Sequence, residues 1–102
     1  MNARKRAPSR PTVAVLLALA DGVSYGFDIM EATGLPSGTV YPILARLESR
    51  GLAESDWEDP QAHREEGRPA RRYYRITAAG RSELAAGLER FRALGVPLPR
   101  LA

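Results

Sequence analysis

Ser37, Gly38, Thr39, Tyr41, Pro42, Ala45 and Arg46 are the residues whose types and spacing point most directly to chemistry, and that chemistry is recognition. They lie in the stretch Gly34 to Leu52, which reads as a short turn, an amphipathic helix and a glycine stop. At about 100° per residue, Val40, Ile43, Leu44 and Leu47 fall on one arc, the spacing of a buried stripe. Gly38, Pro42, Ala45 and Ser49 fall on the opposite arc, with Tyr41 and Arg46 on its shoulders. The one acid, Glu48, sits on the Tyr41 side near the core boundary. A solvated helix normally carries charge on its outer face; this one carries small, uncharged residues that suit close approach to the major groove of DNA. Ser37 is the expected N-cap, and amides of the first turn are then free to meet a phosphate. Pro42 and Ala45 offer apolar contact to thymine methyls. Two arrangements fit Tyr41, a bond to phosphate or packing on a neighbouring hairpin. The competing interpretation of the whole segment is an ordinary core helix with a bland outer face.

Other chemistries are excluded by what is missing. Ser37 has no histidine partner, and His63 stands without a ligand set, so neither nucleophilic catalysis nor a metal site is expected. There is no glycine-rich phosphate loop and no paired-carboxylate site, so the chain is expected to be neither an enzyme nor a cofactor binder. The chain has no cysteine, which fits a reducing cytoplasmic setting. Its longest apolar run, Val13 to Ala20, is too short to span a bilayer, and no membrane partner is expected. The basic start (Arg4, Lys5, Arg6, Arg10) runs into a helix and not into a cleavage site. The formal charge of +3 is modest, but all but one of the 15 basic residues are arginine, which meets phosphate as a planar fork.

The elements that must hold the recognition helix follow from periodicity. Residues 1–10 read as a flexible basic arm, 11–94 as one domain and 95–102 as a tail. Pro11 suits a first helical position, opening a helix to about Ala20. Val13, Leu16, Leu17 and Ala20 make its stripe, but Val15 and Leu19 are apolar too, which suggests a second partner surface. Ser24 is the expected cap of a helix over Tyr25 to Thr33, with Phe27, Ile29 and Met30 as its apolar contacts. Gly34 closes it, giving helix-turn-helix spacing with the recognition segment. Leu52 to Trp57 and Arg71 to Ile76 read as strands, joined by a long exposed loop from Glu58 to Ala70 without apolar rhythm. Trp57 is expected to pack at the root of this hairpin. Of the hairpin arginines, Arg68, Arg71 and Arg72 are expected to matter more than Arg64, because Glu58, Asp59, Glu65 and Glu66 cancel much of the local charge. Thr77 caps a last helix, Ala78 to Leu94, with Leu84, Leu88, Phe91 and Leu94 in a narrow stripe. The fold is thus mostly α with a small β-hairpin, in the order α-α-α-β-β-α.

Taken together, Ser37-Gly38-Thr39-Val40-Tyr41-Pro42, Leu44, Arg46-Leu47-Glu48 and Gly51-Leu52 resemble the recognition-helix motif of PadR-type transcriptional regulators. Tyr25-Gly26 resembles that family's second-helix start. Gly67-Arg68-Pro69, Arg71-Arg72-Tyr73-Tyr74-Arg75-Ile76-Thr77 and Gly80 resemble its wing and second strand. The chain has Pro36-Ser37-Gly38-Thr39 where the family commonly has Ser-Pro-Gly-Thr. The resemblance implies a winged helix-turn-helix, a homodimer formed through the terminal helices, and a repressor of palindromic operators on double-stranded DNA. Carried over by position, DNA contacts fall on Ser37, Gly38, Thr39, Tyr41 and the wing arginines. The spare apolar face at Val15 and Leu19, with Leu84, Leu88 and Phe91, is the expected dimer interface. Some members bind planar hydrophobic effectors, so a small hydrophobic effector is a further expected partner. The alternatives are a winged-helix protein-interaction module that leaves DNA alone, and an effector-responsive regulator that releases it.

Overall fold

Ser9 opens α1 (Arg10–Ala20): its hydroxyl accepts from the Thr12 amide at 3.3 Å, and Pro11 takes one of the first helical positions, where a missing N–H costs no bond. The structure, a computed structural model, describes residues 7–102 apart from the side chains of Ala62 and His63. Arg4, Lys5 and Arg6 of the expected arm, and the His63 side chain, therefore lie outside the described residues. Every residue of α1 from Thr12 to Leu19 except Leu17 is buried. A helix apolar on all sides has to be enclosed on all sides. Here α2 (Gly26–Thr33), α3 (Ser37–Ser49), β2 (Arg72–Ile76) and α5 (Ala78–Leu94) all pack against it.

That enclosure also takes in most of the side chains expected at the dimer surface. Val15, Leu19, Leu84 and Phe91 are each at most 7% exposed within the single chain, and Leu88 packs against the same cluster. Val15 and Leu19 are enclosed by the packing around α1, and Leu84 and Phe91 are buried in the same core, so these four side chains are not free to face a partner, while Leu88 is half-buried.

Three helix starts differ from expectation. Ser24 does not cap α2; Tyr25 holds that position without a side-chain bond. The Ser24 hydroxyl donates to the Gly22 carbonyl, and its own carbonyl accepts from the Tyr74 amide at 2.9 Å. With a bridge between Tyr25 and Tyr73, this segment adds an edge to the hairpin and ties it to the helix-turn-helix. Pro36, not Ser37, is the N-cap of α3, and no side chain caps this helix. Asp59 accepts from the Gln61 amide at 2.8 Å and opens a short helix, α4 (Pro60–Glu65), inside the segment expected as plain loop. An acceptor followed by proline is a start signal that works without apolar rhythm.

The end of α3 is as expected. Gly51 has φ +74°, the Gly51 amide donates to the Glu48 carbonyl and the Leu52 amide to Leu47 at 2.8 Å, which satisfies the last free carbonyls. The chain then enters β1 (Ala53–Trp57), antiparallel to β2 in the register Ala53 to Ile76, Ser55 to Tyr74 and Trp57 to Arg72. Thr77 caps α5 through the Gly80 amide at 3.0 Å. Gly80 is required by close approach: a Cβ there would lie 2.1 Å from the Leu52 carbonyl oxygen. The segment expected as a tail folds back: Pro99 is buried, the Ala102 amide donates to the Ala32 carbonyl at 2.8 Å, and the Arg10 guanidinium donates to the Pro97 carbonyl. Among the described residues no helix is long and apolar enough to cross a membrane.

Candidate nucleic-acid interface

The two faces of α3 separate as the periodicity requires. Val40, Ile43, Leu44 and Leu47 are at most 5% exposed, whereas Ser37, Gly38, Tyr41, Pro42, Ala45, Arg46 and Ser49 are exposed and Thr39 is half-buried. Pro42 lies inside the helix. Having no N–H, it withholds the usual helical donor from the Gly38 carbonyl, on a side open to solvent. The one carboxylate, Glu48, is turned to the hairpin, where it accepts from the Ser55 hydroxyl at 2.6 Å and lies 3.6 Å from Arg72. The outer face is therefore free of acid because the acid it could have shown is engaged elsewhere.

Tyr41 is 46% exposed, and its ring lies over Gly26 at the start of α2, where a Cβ would come within 2.4 Å of the hydroxyl oxygen. Gly26 is thus the residue that lets Tyr41 lie flat between α2 and α3. A groove of about 280 Å³ opens here, lined by Tyr41, Tyr25 and Phe27 on the helix-turn-helix side and by Arg71, Arg72 and Tyr74 on the hairpin side. Phe27, expected as a core contact, is 63% exposed at its rim. Burial between hairpin and helix, the largest effect, raises the Tyr74 phenol above its ordinary pKa.

The hairpin arginines expected to meet DNA have distinct surroundings. Arg72 donates to the Ser55 hydroxyl at 2.9 Å and stacks 5.3 Å over the Trp57 ring. Arg71 stacks 4.0 Å over the Tyr25 ring, with Glu58 at 3.8 Å. Arg68 is committed inward: it grips Glu58 with both terminal nitrogens and donates through Nε to Glu66 at 2.6 Å. Glu58 is buried, and the Arg68 hydrogen bond chiefly, helped by the Arg71 amide and both charges against the opposing effect of burial, lowers its pKa to about 2. Arg68 is raised further above its already high value by the same pair. The Glu58–Arg68–Arg71 cluster closes the loop carrying α4 onto the strands, so Arg68 holds the shape of the hairpin, while Arg71 and Arg72 flank the groove beside α3.

Sequence reasoning missed two residues here. Trp57, expected at the hairpin root, is 57% exposed, and Gly26 is the floor under Tyr41. The pairing of Trp57 with Arg72 could have been found by aligning the two predicted strands, because opposed residues share a face.

The chain also resembles known proteins over most of its length. The family model for the transcriptional regulator PadR-like family matches residues 15–86. The structure is similar to that of a PadR family transcription regulator from Clostridium difficile R20291, with 24% identity over 85% of this chain and 92% of that one and a TM-score of 0.72. It is similar to a PadR-like transcription factor from Bacteroides fragilis, with 28% identity over 82% of each chain and a TM-score of 0.68. It is also similar to BpsR of Bordetella bronchiseptica, whose DNA binding is regulated by 6-hydroxynicotinic acid, with 24% identity over 85% of this chain and 57% of that one and a TM-score of 0.68. No curated protein matches. A family match covering the helix-turn-helix, the hairpin and the first half of α5, together with the winged-helix order of the elements, shows that the chain belongs to the PadR-like family of transcriptional regulators, a family of regulators and not of enzymes.

Proposed function

We propose that this protein is a homodimeric, cytoplasmic repressor that lays α3 into the major groove of a palindromic operator. The observation that carries this is the acid-free outer face of α3, kept so by the engagement of Glu48 with Ser55 and Arg72. Ser37, Gly38 and Thr39 would meet the backbone at the first turn, Pro42 and Ala45 the base edges, and Tyr41, Arg46, Arg71 and Arg72 the flanking phosphates. A dimer would set its two recognition helices about 34 Å apart, one turn of duplex. Because Val15, Leu19, Leu84 and Phe91 are in the core, we place the dimer contact on the outward side of α5 and its end, where Leu94 is 62% and Val96 39% exposed. The test is a gel shift with duplexes from the region upstream of the chain's own coding sequence. Tyr41→Ala and Arg72→Ala should each weaken binding about tenfold. Unchanged binding at physiological salt would sink the contact assignment, and no binding by folded protein would favour a protein-interaction module. Sedimentation of the wild type and of Leu94→Glu checks the dimer: a wild-type monomer at micromolar concentration defeats it. By analogy with BpsR, a small planar effector that releases DNA is the second function we would test.

A further inference from the structure

The strand register places three residue pairs on the hairpin face turned to α3. Ala53 with Ile76 lies at the base, where Ala53 is buried in the core. Ser55 with Tyr74 comes next, and Ser55 donates to Glu48 of α3. Trp57 with Arg72 is outermost. The face therefore runs outward from the core, along α3, to an indole 57% exposed with a guanidinium 5.3 Å over its ring. Arg72 is fixed there from below by Ser55 at 2.9 Å and by Glu48 at 3.6 Å.

Trp57 is the chain's one tryptophan and its largest apolar side chain, and leaving it in water forgoes the gain of burying it. Of the two adjacent acids, Asp56 pairs with Tyr73 on the opposite face of the hairpin and accepts from the Trp57 amide, and Glu58 is buried and held by Arg68. What fits the indole is a surface that is apolar in patches and anionic beside them. The sugar–phosphate backbone of duplex DNA has that alternation, with deoxyribose faces for the ring and phosphates for Arg72 and Arg71.

We propose that Trp57 is a DNA-contact residue: stacked with Arg72, it packs on the sugar–phosphate backbone flanking the groove that α3 enters. This rests on the proposal that α3 faces DNA, and it adds a contact that does not depend on base sequence.

Because Trp57 is the only tryptophan, its emission reports this position alone. Wild-type protein is titrated at low salt with a dye-labelled, mixed-sequence duplex, recording the dye's anisotropy and the indole emission together. Trp57 emission should change with the same midpoint as the anisotropy. Trp57→Ala, at an exposed position, should keep the wild-type melting temperature and bind about fivefold more weakly, the scale of one aromatic contact. Its salt dependence should keep the wild-type slope, since no charge is lost, whereas Arg72→Ala should lower that slope by about one. If the duplex binds while emission stays constant and Trp57→Ala binds as tightly as wild type, the Trp57 contact is refuted and the α3 contact survives. Emission that follows protein concentration without DNA would assign the indole to a second copy of the chain and equally refute it. Absence of any duplex binding would refute both.

Discussion

Gly38→Asp separates what holds α3 together from what α3 touches. Gly38 is the second residue of the helix, exposed, and a Cβ built there meets nothing within 4 Å. Replacing a helical glycine recovers some tenths of a kcal/mol of backbone entropy. A carboxylate in the first turn adds roughly 0.3–1 kcal/mol by its interaction with the helix dipole. Together these should raise stability by about 1 kcal/mol, or about 4–8 °C in melting temperature for a domain of this size. The effect on DNA runs the other way. Like charges 4 Å apart repel by ~1 kcal/mol in bulk water and ~4 kcal/mol at an effective dielectric constant of 20, so affinity should fall about fivefold or more. Thermal melting followed by circular dichroism measures the first quantity, and anisotropy of a labelled upstream duplex the second. A variant that melts higher yet binds as tightly as wild type would show that the first turn of α3 does not face DNA. A variant that melts markedly lower would show that Gly38 is not in open space.

Gly80→Ala should destabilise the fold, because its methyl would press on the Leu52 carbonyl, backbone that cannot swing aside. Overpacking less the helix-propensity gain leaves a net cost of ~2 kcal/mol, or about 10 °C in melting temperature, and a melt at or above wild type would refute the approach of α5 to that carbonyl. Glu58, with its pKa lowered from an ordinary 4.5 to about 2, stabilises the fold fully above pH 4.5 and loses that contribution as pH falls towards 2. Glu58→Gln should therefore melt lower than wild type near neutrality and show a flatter acid limb between those values; parallel limbs would dismiss the Glu58–Arg68 latch. Deleting residues 1–6 removes Arg4, Lys5 and Arg6, from a chain that at Ala7 already lines a groove with Arg46 and Arg50. The salt slope of DNA binding should fall by about 2–3, and an unchanged slope would assign it to the domain alone.

What the sequence made legible was local. The stripe of α3, the Thr77 cap, the glycine stop at Gly51 and both strands needed only nearby residues, and all are present. Ser24 and Ser37 do not cap because a good capping side chain does not fix where a helix starts: the sheet edge claims the backbone of Ser24, and Pro36 takes the cap position before Ser37. Val15 and Leu19 show the limit most clearly. Counting apolar faces on one helix cannot tell a partner's surface from the protein's own core, because the answer depends on which long-range contacts form. Trp57 failed in the opposite sense: its size suggested burial, but it lies past the end of the core on a strand whose inner face runs out into solvent.

The distribution of charge limits how such a protein could hold DNA. From Ala53 to Ile76 the hairpin carries six acids against five arginines, and Arg68, Arg71, Arg72 and Arg75 each have a carboxylate within 4.0 Å. A wing neutral to slightly acidic cannot draw a polyanion by net charge. It can act through side chains whose positions are fixed, Arg71 over Tyr25 and Arg72 over Trp57. Surface ion pairs of this kind add little to stability, but they hold long side chains in one place, which lowers the entropy lost on binding. The formal excess of positive charge lies at the two ends of the chain, in Arg4, Lys5, Arg6 and Arg10 and in the arginines of α5 and the residues after it. We accordingly propose that long-range attraction comes from the ends, close-range placement from the hairpin, and the fit to the groove from α3, whose acid-free face would gain little without the other two.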